Sequence, residues 1–214
     1  MKTVDRCEAK FIVIDGIDGC GKSTLSKKLY NYYKSLGKKI ILTKEPGGSP
    51  SSKYLREYLL NSKIDITPIT ETLIFLADRY EHINKTIIPA INAGYNVICD
   101  RYTPSTYAYQ VFGRNVDSSI TDFLTKRLQI LYPDITLIID IDVKLAIKRK
   151  RSDKANPLEE KYELMGKDFL ECVRKGFLWY AKNFDNTYII NGDKAVEASL
   201  KDALNIIDKA LGKF

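Results

Sequence analysis

Phe11-Ile-Val-Ile14 runs into Gly16-Ile-Asp-Gly-Cys-Gly-Lys-Ser23, and the fold turns on how these residues are read. The first four form a continuous apolar run, the composition of a strand buried on both faces. The next eight fill the pattern G-x-x-x-x-G-K-[ST] at every fixed position. From Lys22 to Leu36, the residues Leu25, Leu29, Tyr32 and Leu36 recur at helical spacing, and Gly37 supplies a stop. Buried strand, glycine-rich turn and amphipathic helix together are the context that makes such a match a phosphate-binding loop. The glycines let successive backbone N–H groups curl around a phosphate, and the following helix adds the positive end of its dipole. Lys22 is placed to reach the β- and γ-phosphates of ATP, and the Ser23 hydroxyl to ligate Mg2+. Gly16, Ile17, Asp18, Gly19, Cys20, Gly21, Lys22, Ser23 and Thr24 are therefore the expected ATP-binding residues. A chance glycine-rich turn is the competing reading, and the flanking elements argue against it.

Outward from this loop the chain keeps alternating short apolar strands with helical stretches, the signature of an α/β parallel sheet. Lys39–Thr43, Asn96–Asp100, Thr136–Asp140 and Tyr188–Ile190 read as further strands, five with the first. A long helical region spans Thr70–Ala93 and ends at Gly94, with Pro89 placed to kink it. A terminal helix spans Val196–Leu211. Residues 1–214 show no internal repeat, linker or composition break, so one domain is expected. Ser152–Glu160 is the most loop-like stretch, polar, containing Pro157, and set between two helical segments. It reads as part of a mobile lid at about 149–161.

Composition removes other classes. The 214 residues carry a net charge of +7, but lysine and arginine are scattered and no basic run is interleaved with aromatics, so no nucleic acid is expected as partner. No stretch approaches the roughly 20 apolar residues of a membrane span. Residues 1–10 are polar and lack the apolar segment of a signal peptide, which points to the cytoplasm. Four cysteines (Cys7, Cys20, Cys99, Cys172) without C-x-x-C spacing and a single histidine, His82, speak against zinc and for reduced thiols.

Proteins with this loop include switches, motors and small-molecule kinases. A guanine-specific switch needs D-x-x-G and N-K-x-D downstream, and neither is present. A small kinase needs arginines to clamp an acceptor phosphate and a loop that closes over the transferred group. Four stretches, in order, carry a closer resemblance: Asp18 inside the loop, Thr43-Lys-Glu-Pro-Gly-Gly48, Leu73-Ile-Phe-Leu-Ala-Asp-Arg-Tyr-Glu-His82, and Asp100-Arg-Tyr-Thr-Pro-Ser-Thr-Tyr-Ala-Tyr-Gln110. From Phe11 to the C-terminus the chain thereby resembles the thymidylate kinases of the bacterial type.

The resemblance implies a P-loop nucleoside monophosphate kinase-like fold and transfer of the γ-phosphoryl of Mg·ATP to dTMP, giving dTDP and ADP. Homodimers are usual in that family. A carboxylate at the end of a buried strand points into the ligand crevice of an open α/β sheet. Asp100 is placed to hold Mg2+ through water, and Arg101 to grip the acceptor phosphate. The resemblance adds Glu45 and Arg56 around that phosphate, Phe75 stacked on thymine, Arg79 on a base carbonyl, and Ser105, Thr106 and Gln110 along the base. Tyr109 is implied beneath the sugar, Asp18 on its 3′-hydroxyl, and the adenine near Asn191-Gly-Asp193. An aromatic at helical spacing is by itself a core residue as readily as a stacking platform, and His82 reads as structural. Lys44 stands where the family carries arginine, which removes a forked contact. Gly19 stands where eukaryotic-type members carry a catalytic arginine. The catalytic set is Lys22, Arg101 and Asp18, with Arg149 and Arg151 of the run Lys148-Arg-Lys-Arg151 as lid cations and Lys154 beyond; Arg149 is the expected leader. The family's Arg-x-Glu after the lid reads Lys161-Tyr-Glu163. Two alternatives stay open on sequence alone: a kinase with another acceptor, and a nucleotide-binding module without catalysis.

Overall fold

The computed structural model describes residues 9–60, 65–150, 162 and 165–212. Five strands form one parallel sheet in the order β2-β3-β1-β4-β5: β1 Phe11–Gly16, β2 Ile40–Lys44, β3 Asn96–Asp100, β4 Ile135–Asp140 and β5 Thr187–Asn191. The five expected strands are all present, with ends shifted by one residue where they differ, and by two at the end of β1. β1 lies at the centre, Val13 registering with Cys99 on one side and Thr136 on the other. Alternate β1 residues face opposite layers. Ile12 and Ile14 join the core with Leu25, Leu29, Ile98 and Leu137, whereas Phe11 and Val13 join Val97, Cys99 and Ile87. Both faces are covered, which is why the strand reads as an unbroken apolar run.

The helix after the loop, α1 Lys22–Ser35, buries Ser26, Leu29 and Tyr33 along one stripe. Two positions differ from expectation. Tyr32 is half exposed because Tyr33, one residue on, takes the inward place, and exposed Leu36 lies past the last turn as C-cap. The expected helix over Thr70–Ala93 is a composite: α3 Pro68–His82, a π-helical turn Ile83–Ile87, and α4 Ile88–Asn92. Thr67 caps it, accepting from the Thr70 N–H, with Pro68 in the first turn. Pro89 has no N–H to give, and its ring conflicts with a carbonyl four residues back. The backbone widens before it, the Ile88 N–H reaching the Ile83 carbonyl, so the α-helical hydrogen-bond pattern is interrupted at 83–87.

Sequence periodicity missed several elements. These are α2 Ser52–Leu60, the single turn α5 Thr103–Ser105, the π-helical segment Thr106–Gly113 and α6 Ser118–Arg127; α7 Val143–Lys150 and α8 Gly166–Asn183 were foreseen only as the helical segments before and after the lid. The terminal helix, α9 Val196–Leu211, has the expected bounds. α8 lies directly on the π-helical segment at Gly176, where a Cβ would come within 2.7 Å of the Ala108 backbone. That close seat presents Thr106, Tyr109 and Gln110 to the site described below. Among the described residues, no helix is long and apolar enough to cross a membrane. Arg151, Lys154, Lys161, Glu163 and most of the expected lid lie outside the described residues.

Candidate active site

Two clefts meet at the phosphate-binding loop, and Lys22 and Ser23 line both. The loop is short and closed by its own backbone, the Cys20 N–H bonding the Ile17 carbonyl. Gly19 is fixed by its surroundings as much as by its φ of +82°. A Cβ there would stand 2.3 Å from the Ala146 carbonyl oxygen of α7. No side chain fits at 19 without moving α7, so a cation over the loop has to come from elsewhere. Burial pushes the Cys20 thiol up to about 11, which keeps it protonated and out of any nucleophilic role.

The Lys22 ammonium bonds Asp18 Oδ1 at 2.9 Å, and Arg101 donates to the same oxygen. Tyr109 donates to Asp18 Oδ2 at 3.0 Å, and the Arg101 guanidinium lies over the Tyr109 ring. Burial works to raise the Asp18 pKa, but Arg101 and Lys22 outweigh it and hold the carboxylate well below its ordinary range. For Lys22 burial and Arg101 oppose the charge, and Asp18 restores it, leaving the ammonium firmly protonated.

Arg101 sits at φ +71°, a conformation L side chains rarely adopt. A residue that sequence reasoning missed holds it there. Asp15, fully buried at the end of β1, accepts from the Gly16 N–H (2.9 Å), the Tyr102 N–H (3.1 Å), the Ser105 N–H (3.0 Å) and the Ser105 hydroxyl (2.8 Å). Ser105 Oγ in turn accepts from Arg101. Burial raises the Asp15 pKa despite Arg101 and these donors. A carboxylate inside an otherwise apolar strand was the available signal.

The first cleft, about 750 Å³ of open space, is lined by Lys22, Lys44, Arg56, Arg79 and Arg101 against Asp18, Glu45 and Asp100. It also takes in Phe75, Tyr102, Ser105, Thr106, Tyr109, Gln110 and Tyr162, so every expected acceptor residue lines one space. Glu45 accepts from Arg79 Nε at 2.8 Å and pairs with His82 at 3.0 Å; His82 reaches Thr43 on its other side. Glu45 thus orients Arg79. Arg79 also donates to Thr106 Oγ1 at 2.9 Å and lies over the Tyr102 ring. Arg56 donates to the Pro46 carbonyl. Phe75 packs on the core and lines the cleft at once.

The second cleft runs over Gly19–Leu25 to Gly192, Lys194 and Val196. Arg149, which also lines this cleft, donates to the carbonyls of Gly192 (2.6 Å) and Asp193 (3.5 Å). Its neighbour Lys150 faces inward, buried, and its charge is felt at Asp18. Sequence reasoning passed over Lys150 because two arginines flanked it.

Ser23 Oγ donates to Asp100 Oδ2 at 2.5 Å, and Asp100 Oδ1 is buried without a hydrogen-bond partner among the described residues. A hydroxyl, a carboxylate with a spare oxygen and an adjacent phosphate loop fit a hard divalent cation that keeps several waters, as Mg2+ does. Among the described residues no group of three His, Cys, Asp or Glu gathers as a metal cage.

The thymidylate kinase family model matches residues 14–203. A thymidylate kinase of Wolbachia pipientis subsp. Culex pipiens (strain wPip) is 41% identical over 204 residues, covering 93% of this chain and 96% of that protein. One from Thermosipho africanus (strain TCF52B) is 38% identical, covering 94% and 98%. The crystal structure of thymidylate kinase from Ehrlichia chaffeensis superposes with a TM-score of 0.76 at 30% identity, covering 93% of this chain and 98% of that one.

Proposed function

The chain belongs to the thymidylate kinase family and phosphorylates dTMP at the expense of ATP, and we propose that the phosphoryl group crosses where the two clefts meet. The observation that carries this reading is that Lys22 and Ser23 line both clefts. A γ-phosphate held by the loop would lie between the donor cleft and the basic acceptor cleft.

In this reading the loop residues Gly16–Thr24 bind the ATP phosphates, and Arg149, on the Gly192 and Asp193 carbonyls, holds the donor at its adenosine end, a different role from the leading lid cation expected of it on sequence. The acceptor phosphate meets Arg101 and Arg56, the base meets Phe75, Arg79, Ser105, Thr106 and Gln110, and the sugar meets Tyr109 and Asp18. An oxygen of the acceptor phosphate attacks the γ-phosphorus while the bond to the β-phosphate oxygen breaks, and ADP leaves with that oxygen's charge. The attacking oxygen is already anionic, so no general base is required. Lys22 and Arg101 offset charge on the transferring group; Lys150 adds to them, as would Arg151 and Lys154, the lid cations expected from the sequence. Ser23 and Asp100 would hold Mg2+, which when bound neutralises charge on the β- and γ-phosphates.

Residues 1–214 act as one kinase domain in this reading, since all five strands share one sheet. We place the protein in the cytoplasm, where ATP is available and thiols such as Cys20, Cys99 and Cys172 stay reduced. A homodimer is supported by an exposed stripe on α3, Ile69, Leu73 and Tyr80, beside exposed Tyr54 and Tyr58 of α2. The test of function is ADP release across a panel of nucleoside monophosphates. dTMP should be the preferred acceptor, and Lys22→Ala should cost roughly three orders of magnitude in turnover without unfolding the chain. Near-normal turnover in the folded variant would remove this mechanism.

A further inference from the structure

Glu71 lies in the first turn of α3 and is fully buried. Its Oε1 accepts from the Gln110 side-chain Nε2 at 3.0 Å and from the Tyr162 hydroxyl at 2.7 Å. Gln110 Nε2 also reaches the Tyr162 oxygen at 3.1 Å, closing a three-membered ring of hydrogen bonds. Its sense is fixed by chemistry. Burial and Glu71 hold the Tyr162 pKa well above its ordinary value, so the hydroxyl keeps its proton and donates it to Glu71. A carboxylate offers only acceptors, so the amide group turned towards it has to be the NH2. The Gln110 amide then has one atom left, Oε1, to which nothing donates among the described residues. Gln110 lines the first cleft together with Phe75, Arg79 and Tyr162.

We infer that Glu71 sets which end of the Gln110 amide meets the base, and thereby restricts the acceptor to pyrimidines carrying an imide N3–H. The inference rests on the reading of the first cleft as the acceptor site. Thymine and uracil present N3–H between two carbonyls, which suits an acceptor at Oε1 and a donor at Arg79. Cytosine presents a lone pair at N3 and an amino group in place of the 4-carbonyl. Its lone pair would face Oε1 and its amino group the guanidinium, leaving both protein groups unsatisfied in a buried site. Glu71 touches neither substrate in this scheme and is a positioning residue.

Glu71→Gln tests this on the full chain, because glutamine can also donate and so lets the Gln110 amide turn over. The ratio of kcat/KM for dTMP over dCMP should fall about tenfold or more, chiefly through the KM for dTMP. dUMP should follow dTMP, and the KM for ATP should stay put. Tyr162→Phe, which leaves the Glu71–Gln110 bond in place, should keep the ratio within about threefold. A folded Glu71→Gln protein with an unchanged ratio overturns the inference, even if its melting temperature drops. If that variant fails to fold, a structure of the wild-type protein with dTMP decides. Gln110 still bonded to Glu71 supports the inference, and Gln110 swung away from it overturns it. Wild-type protein that does not turn over dTMP would instead refute the acceptor reading itself.

Discussion

Asp78→Asn should change how stability depends on pH, and the structure gives the size and sign. Asp78 is fully buried in α3, and its Oδ1 accepts from the Gly47 N–H at 2.8 Å. Burial and the neighbouring Glu45 carboxylate push its pKa from 3.8 up to about 7, with Gly47, His82 and Arg79 pulling the other way. A carboxyl whose pKa is higher in the folded chain binds its proton more tightly there. It favours folding fully below about pH 4, and that contribution is lost as the pH rises through about 7. Between pH 5 and pH 8 the loss comes to about 2–3 kcal/mol for a shift of this size. Asparagine keeps an acceptor for Gly47 and does not titrate. The unfolding free energy of Asp78→Asn minus that of wild type should therefore grow by about 2 kcal/mol from pH 5 to pH 8. Urea unfolding of both proteins at each pH, at constant ionic strength, measures this, since groups titrating alike in both cancel. Parallel stability profiles, or a difference that shrinks with rising pH, would refute the reasoning.

Other expectations follow from the same contacts. Phe75→Ala should raise the acceptor KM roughly 5- to 150-fold, the equivalent of about 1–3 kcal/mol of base stacking, and leave the ATP KM nearly unchanged; an unaltered acceptor KM would leave Phe75 with its core role alone. Asp15→Asn should lower kcat about tenfold or more by releasing the Tyr102–Ser105 backbone that holds Arg101, with smaller changes in either KM; an intact kcat would show that Arg101 keeps its place without Asp15. Arg149→Ala should raise the ATP KM by about tenfold, one charge-assisted contact's worth; a loss confined to kcat would move Arg149 to the transferring phosphoryl group.

The sheet was legible because burial on both faces writes strands as apolar runs: β1, β3 and β4 have few other readings. The phosphate loop was legible because its pattern is local and its flanks agree. Helices on the outside were harder to see. α2 and α6 are short, and exposed apolar residues such as Tyr54, Tyr58 and Phe123 blur their stripes. The segment Thr106–Gly113 has π-helical spacing, to which a 3.6-residue template is blind. Within the site, residues named by motif line the two clefts, whereas Asp15 and Glu71, buried beside them, escaped notice. Asp15 resembled the end of a strand, and Glu71 resembled a carboxylate favouring a helix N-terminus. Their partners are 90 and 39 residues away in sequence, so the contacts exist only once the fold does.

Buried carboxylates, Asp15, Asp18 and Glu45, explain how a basic cleft can be assembled at all. Lys22, Arg79 and Arg101 are all largely withdrawn from water, and burying any of them unpaired would cost several kcal/mol. Each is matched to a carboxylate: Lys22 and Arg101 to Asp18, Arg101 also to Asp15 across 3.8 Å, and Arg79 to Glu45. Hydrogen bonds from Tyr109 to Asp18, from Ser105 to Asp15 and from His82 to Glu45 hold the carboxylates in turn. The cations are therefore aimed before any phosphate arrives, and little reorganisation is left for the moment of transfer. Asp18 stands apart from the other two, because it alone holds the loop lysine and the acceptor arginine through the same oxygen. It ties the donor and acceptor halves of the site together, so displacing either cation alters the field at the other.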